Sequence, residues 1–307
     1  MKTVKLQTPV ETSPAPFEVT HEGPLLFMGS CFAERIGQRL QQLHFPVLLN
    51  PFGILYNPLS MADALRRCLD DSPITGRELV LHEGLWHSWL HHGSFSQPDK
   101  EACLAACNEA IHEAHRFLSQ CRTVVLTFGS AWCYSVAEGD YNGIVANCHK
   151  VPATRFSRRL ASVEEVTAAW QPLLQRLLAA GMQVLLTVSP VRHSAYGAHG
   201  NQLGKAVLLL AIERLIAQLP AEQQRAVAYF PAYEIMMDEL RDYRFYADDL
   251  LHPSTMAEEI VWQRFAAFCM SETTRTLCDT LDKEYRRAAH RTLHPDRKPA
   301  PPSDTTE

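Results

Sequence analysis

Short apolar runs alternate with longer stretches of helical spacing along this chain. Leu25, Leu26, Phe27 and Met28 are too few for a core helix and read as a buried strand. Beyond it, Phe32, Ile36, Leu40 and Leu43 share one helix face. Residues 46–49 predict a second short strand, running into the turn-rich NPFGILYNP. Leu59, Ala62, Leu65 and Leu69 mark a helix that stops at Asp70-Asp71-Ser72-Pro73. Residues 99–120 carry another amphipathic helix, and TVVLTF, QVLLTVSP and AVAYFPAYEIM supply a third, fourth and fifth strand. Ser162 with Glu165 forms a capping-box spacing, and Gly181 a C-cap; Pro172 between them predicts a kink or two shorter helices. A helix is expected over about residues 201–219, and a long helical stretch from Ser254 to about His290. Two segments break the pattern as insertions. Residues 79–97 read as a hairpin turning at Glu83-Gly84, and residues 131–153 have a hairpin tip at Glu138-Gly139-Asp140.

Strands alternating with crossover helices define an α/β chain. The expected architecture is a three-layer α/β/α sandwich around an about five-stranded, mainly parallel, flavodoxin-like sheet. Residues 1–294 read as a single domain opened by an extended, proline-dotted lead-in, and residues 295–307 as a disordered tail. Formal net charge is −5 with no basic stripe, which excludes nucleic acid or an anionic membrane as the main partner. The nine cysteines are odd in number and lack C-x-x-C spacing, as expected of reduced thiols in a cytoplasmic protein. The N-terminus has no apolar signal core, and no run reaches the ~18 apolar residues of a membrane span.

The chemistry gathers at strand ends. Ser30 stands where the first strand hands over to a helix, a favoured N-cap position that is also where open α/β sheets hold ligands. Late in the chain, Asp249-Leu250-Leu251-His252 spaces a carboxylate three residues before an imidazole. In a turn, that spacing aims the carboxylate at one ring nitrogen and leaves the other to take a proton from a serine. His149, Lys150, Arg192 and His193 follow strands and are candidates for an anionic-substrate pocket, while Lys205, on a helix, reads as solvated rim. Trp132 is a candidate wall. His82, His87, His91 and His92 are dense, but no matching cysteine or carboxylate spacing accompanies them, so packing or substrate contact is expected rather than metal.

Gly29-Ser30-Cys31-Phe32-Ala33 resembles the signature of the GSCFA family, which is similar to the SGNH, or GDSL-like, hydrolases. Asn50-Pro51-Phe52-Gly53, Tyr56-Asn57-Pro58, Ala146-Asn147-Cys148-His149-Lys150 and Ser189-Pro190-Val191-Arg192-His193 look like further family blocks. The resemblance implies Ser30 as nucleophile, His252 as base and Asp249 as its orienter. It implies oxyanion donors from Ser30 itself and from Gly53. The block-three asparagine is missing from Gly129-Ser130-Ala131-Trp132, which leaves Asn147 as the candidate third donor. The expected activity is hydrolysis of a small-molecule or glycan ester, O-acetyl included. The alternatives are acyl transfer to a hydroxyl and a non-catalytic binding module. No cofactor or metal is implied.

Overall fold

The computed structural model describes residues 8–138 and 141–289. The first half contains β1 (Leu25–Gly29), α1 (Cys31–Gln42), β2 (Val47–Leu49), α2 (Pro58–Asp70), β3 (Leu79–His82), β4 (Leu85–Ser88), α3 (Lys100–Leu118) and β5 (Thr123–Phe128). Next come β6 (Trp132–Glu138), β7 (Tyr141–Val145), β8 (Phe156–Leu160), α4 (Val163–Ala179), β9 (Gln183–Val188) and α5 (Gly197–Ala217). The chain closes with α6 (Ala221–Gln224), β10 (Val227–Phe230), α7 (Ala232–Glu234), α8 (Thr255–Cys269) and α9 (Glu272–Ala289).

Five strands pair in the order β10-β9-β5-β1-β2, every pair parallel. In sequence terms this is the expected flavodoxin-like 2-1-3-4-5 arrangement. The strands are continuous apolar runs because both faces of the sheet are covered. Leu26, Met28, Val124 and Leu126 face a core completed by α2, α3, α4 and α5. Leu25, Phe27, Val125 and Leu185 face a second core completed by α1 and α8. The lead-in joins this second side: Ala15 and Val19 N–H donate to the carbonyls of Phe268 and Cys269, and Val10 N–H to Glu239.

Pro172 lies within one unbroken helix, α4, so the expectation of two shorter helices is not met. The helical stretch after Ser254 divides at Met270–Ser271 into α8 and α9. The first insertion is the expected hairpin, with Glu83 and Gly84 both at positive φ. The second is larger than a hairpin. β8 adds a third strand beside β6. Its sequence, FSRRL, is half-exposed or exposed throughout and carries no apolar run to announce it. Gly139-Asp140 at the expected tip, and the tail 295–307, lie outside the described residues. All nine cysteines are free thiols, and among the described residues no helix is long and apolar enough to cross a membrane.

Candidate active site

Gly29 ends β1 at φ +141°, where a Cβ would stand 2.2 Å from the Thr127 carbonyl oxygen of β5. Only glycine lets the strand end this close to its neighbour. The turn is held by Gly29 N–H donating to Asn50 Oδ1 at 2.9 Å. Ser30 follows, buried, as the N-cap of α1, its Oγ accepting from Phe32 N–H at 3.3 Å. The hydroxyl proton is therefore free to be given elsewhere. The capping and ligand-edge readings of Ser30 describe one geometry.

Ser130, after β5, and Ser189, after β9, repeat that geometry. Each Oγ accepts at 3.3 Å from the N–H two residues on, Trp132 and Val191 respectively. Three adjacent strands thus present three buried serines along one edge. All three line a cavity of about 410 Å³, together with Cys31, Tyr56, Asn57, Asn147, Arg192, His193 and His252.

His252 reaches this cavity from the turn before α8. Asp249 Oδ1 accepts from Leu251 and His252 N–H at 2.9 and 3.0 Å, and Oδ2 pairs with His252 Nδ1 at 2.6 Å. Those hydrogen bonds, the His252 and Leu251 N–H first, hold the Asp249 carboxyl down at about 2, so it is ionised at neutral pH. The turn requires Leu250 at φ +59°, an uncommon conformation for a branched side chain. Arg192 N–H donates to Leu251 O at 3.1 Å, pinning the loop after β9 to this turn. The hydrogen bond made by Ser30 Oγ is to Phe32, and that made by the His252 ring is to Asp249; the two side chains meet as walls of one cavity.

The other expected residues divide. Trp132, Asn147, Arg192 and His193 line the cavity. Asn147 Oδ1 accepts from His149 N–H at 2.8 Å, which leaves its amide nitrogen as the end for a ligand. Gly53 does not line it: its N–H donates to Asn50 O at 2.6 Å, and its α-carbon is packed under His92. The Ser30 N–H is likewise engaged, with Thr127 O at 3.3 Å. Cys31 N–H, at the first position of α1, is the donor that a helix start leaves unpaired within the helix, and Cys31 lines the cavity. His149 is also misassigned by sequence. It is buried beneath the first insertion, Nε2 donating to Ser88 O at 2.7 Å and its ring stacked on His87. His91 is buried against Phe52, its Nδ1 paired with Ser88 Oγ. Burial, the largest cause, pulls the His91 imidazole down to about 3 and His149 to about 4. Among the described residues no acid–histidine–cysteine group is arranged to hold a metal ion.

Sequence reasoning passed over Ser130, Tyr56 and Asn57 as cavity walls, although each stands at a strand exit or helix start that the pattern marks. Lys205 is the clearest correction. It is fully buried, not solvated rim, and donates to Gly129 O and Ser189 O. No acidic side chain lines the cavity among the described residues; Arg192 supplies positive charge, and His193 is pulled down by burial, then by Lys205.

A five-stranded parallel sheet with a serine, an imidazole and a basic side chain at its carboxyl edge defines an α/β protein with an enzyme-like ligand crevice. The chain belongs to the GSCFA family, whose profile matches residues 24–265. No curated protein matches it in sequence. Among solved structures it is similar to a carbohydrate esterase family 3 protein from Talaromyces cellulolyticus, at 9% identity, 85% of this chain, 99% of that one and a TM-score of 0.39. It is also similar to a psychrotrophic esterase from Pseudoalteromonas sp. (12%, 80% and 96%, TM-score 0.35). A third is a putative acylhydrolase from Bacteroides fragilis (11%, 87% and 91%, TM-score 0.37).

Proposed function

We propose that this protein is a serine esterase of the SGNH-like kind, acting on the ester bond, O-acetyl included, of a neutral or anionic substrate. The observation that carries the reading is the meeting, in one cavity, of Ser30 on the start of α1 and His252 held by Asp249. In the proposed reaction His252 Nε2 takes the Ser30 proton as Oγ attacks the acyl carbon. The imidazolium then gives that proton to the departing alcohol, and the acyl group is left on Ser30. Water, deprotonated by the same imidazole, attacks the acyl-serine, and the imidazolium returns that proton to Ser30 Oγ as the acid is released. Asp249 keeps the proton on Nδ1 and balances the imidazolium.

In the proposal, negative charge on the tetrahedral oxygen is met by the start of α1, where the macrodipole is positive and the first N–H groups are not used within the helix. Asn147 is the proposed side-chain donor. The absence of acidic lining fits a substrate without positive charge. Acyl transfer to an alcohol is a second reading, favoured by one observation: Trp132, Tyr134 and Asn147 of the second insertion line the same cavity as Ser30, with apolar surface that would shield an acyl-serine from water.

Incubation with a fluorophosphonate followed by intact-mass and peptide measurement tests the reading. A single adduct on Ser30 is expected; an unmodified chain, or an adduct on Ser130 or Ser189, would overturn it. Adding alcohols during turnover of an aryl acetate then separates hydrolysis from transfer.

A further inference from the structure

Lys205 is fully buried on α5, and among the described residues no carboxylate pairs with it. Its amine donates at 2.7 Å to each of two main-chain carbonyls, Gly129 O and Ser189 O. These residues stand directly after β5 and β9, neighbours in the sheet. A buried ammonium without a counter-ion is costly, and an apolar side chain of similar length would fill the space more favourably for folding.

The rest of that helix face does related work. Gly200, Asn201, Gly204 and Lys205 recur at i, i+1, i+4 and i+5, which places them on one side of α5. Gly200 O accepts from Trp132 Nε1 at 2.9 Å, and Asn201 Oδ1 from His193 N–H at 2.9 Å. A Cβ on Gly204 would meet Trp132 Cδ1 at 3.3 Å and Ser130 Oγ at 3.6 Å. Every residue touched, from Gly129 to His193, lines the cavity. One face of one helix therefore braces the part of the cavity wall built by the β5 and β9 exits.

We propose that Lys205 is a positioning residue of the active site, its ammonium clasping the β5 and β9 exits and keeping that wall positive. The inference rests on the esterase reading for its activity readout. The groups facing the amine are Cys31 on α1, the Tyr233 ring on α7 at 5.4 Å, and His193 in the loop after β9. Burial, the dominant cause, pulls Lys205 down to about 7, with Cys31 opposing it. The clasp is then charged below neutral pH and loses its charge as pH rises, so the reaction should slow on the alkaline side.

The test follows the fluorophosphonate labelling rate of Ser30 from pH 6 to 9 in the wild type, Lys205→Met and Lys205→Arg. Lysine ε-carbon NMR is recorded alongside. Lys205→Met should label about 10- to 100-fold more slowly and lose the alkaline decline. Lys205→Arg, which keeps its charge, should also lack the decline but recover part of the rate. A purely structural lysine would alter the melting temperature and leave the shape of the profile unchanged. Wild-type rate and profile in Lys205→Met would overturn the proposal. Should that variant not fold, a wild-type profile with no alkaline decline does the same. If wild-type Ser30 never labels, the esterase reading fails instead. The clasp is then judged by NMR alone: one lysine titrating near neutral, absent from Lys205→Arg, supports it, and lysines all titrating near 10 overturn it.

Discussion

The cavity has two walls built in different ways. One is the carboxyl edge of the parallel sheet, where Ser30, Ser130 and Ser189 stand buried in the same tight turn. The other is the second insertion, β6 to β8, which contributes Trp132, Tyr134 and Asn147 and is partly exposed. The sheet edge is fixed by strand pairing that continues into both cores. The insertion is supported from below by the first hairpin, through Trp89, His149 and Phe156, touches α5 through Trp132 Nε1 and Gly200 O, and touches the residue before α5 through the Tyr134 and Tyr196 hydroxyls. The difference separates a packed edge from a more exposed one: under the esterase proposal the nucleophile sits on the sheet edge, and the insertion is where selectivity can vary. Residues 79–97 contribute nothing to the cavity lining, whereas the second insertion does.

The largest effect should come from the sheet edge. Ser30→Ala is expected to lower ester turnover by about 1,000-fold or more, and Ser130→Ala or Ser189→Ala by less than about ten-fold. Steady-state kinetics on an aryl acetate decide, and equal losses at the three positions would erase the distinction. Stability should divide in the same way. Gly29→Ala places a methyl 2.2 Å from Thr127 O at φ +141° and should cost about 3 kcal/mol or more. Gly84→Ala, at φ +78° with open space around it, should cost about 1 kcal/mol. Urea denaturation of both variants measures the contrast.

The insertion side should respond to acid. His91 and His149 sit folded at about 3 and 4, below the ordinary 6.5, so the unfolded chain binds the extra protons. Their contribution is complete above pH 6.5 and is lost as pH falls through the window down to about 4. Between pH 7 and 5 the loss should be about 2 kcal/mol per ring, and His149→Gln should remove roughly half of that pH dependence. Urea midpoints at the two pH values would show it; a flat response contradicts the buried-histidine account. The smallest effect is expected at Leu250→Gly. Relief of the positive φ and loss of chain stiffness oppose each other, leaving a stability change within about 1 kcal/mol by thermal melting.

The sheet was readable in sequence because each strand is an uninterrupted apolar run, and parallel strands covered on both faces have no other option. The Ser30 cap of α1 and the Asp249–His252 hydrogen bond were readable because turn chemistry and local spacing mark them. What escaped depends on distant contacts. β8 gains its place by pairing with β6, which nothing in FSRRL announces. Gly53 and His149 match family blocks, but their hydrogen bonds turn them away from the cavity. Lys205 looks like any helix-surface lysine until β5 and β9 are placed beside α5.

The lead-in has a consequence for synthesis on the ribosome. Ala15 and Val19 bond to the end of α8, and the Arg264 guanidinium reaches Val10 O across most of the chain. The face bearing Leu25, Phe27, Val125 and Leu185 is covered by α1, the lead-in and residues between Phe230 and Tyr246, but lacks Val261, Trp262, Phe265 and Phe268 of α8 until residues near 269 emerge. The opposite face can assemble progressively with α2 to α5. Nascent chains stalled before α8 should therefore expose the part of that oily side on which α8 packs, the state in which a chaperone is most needed.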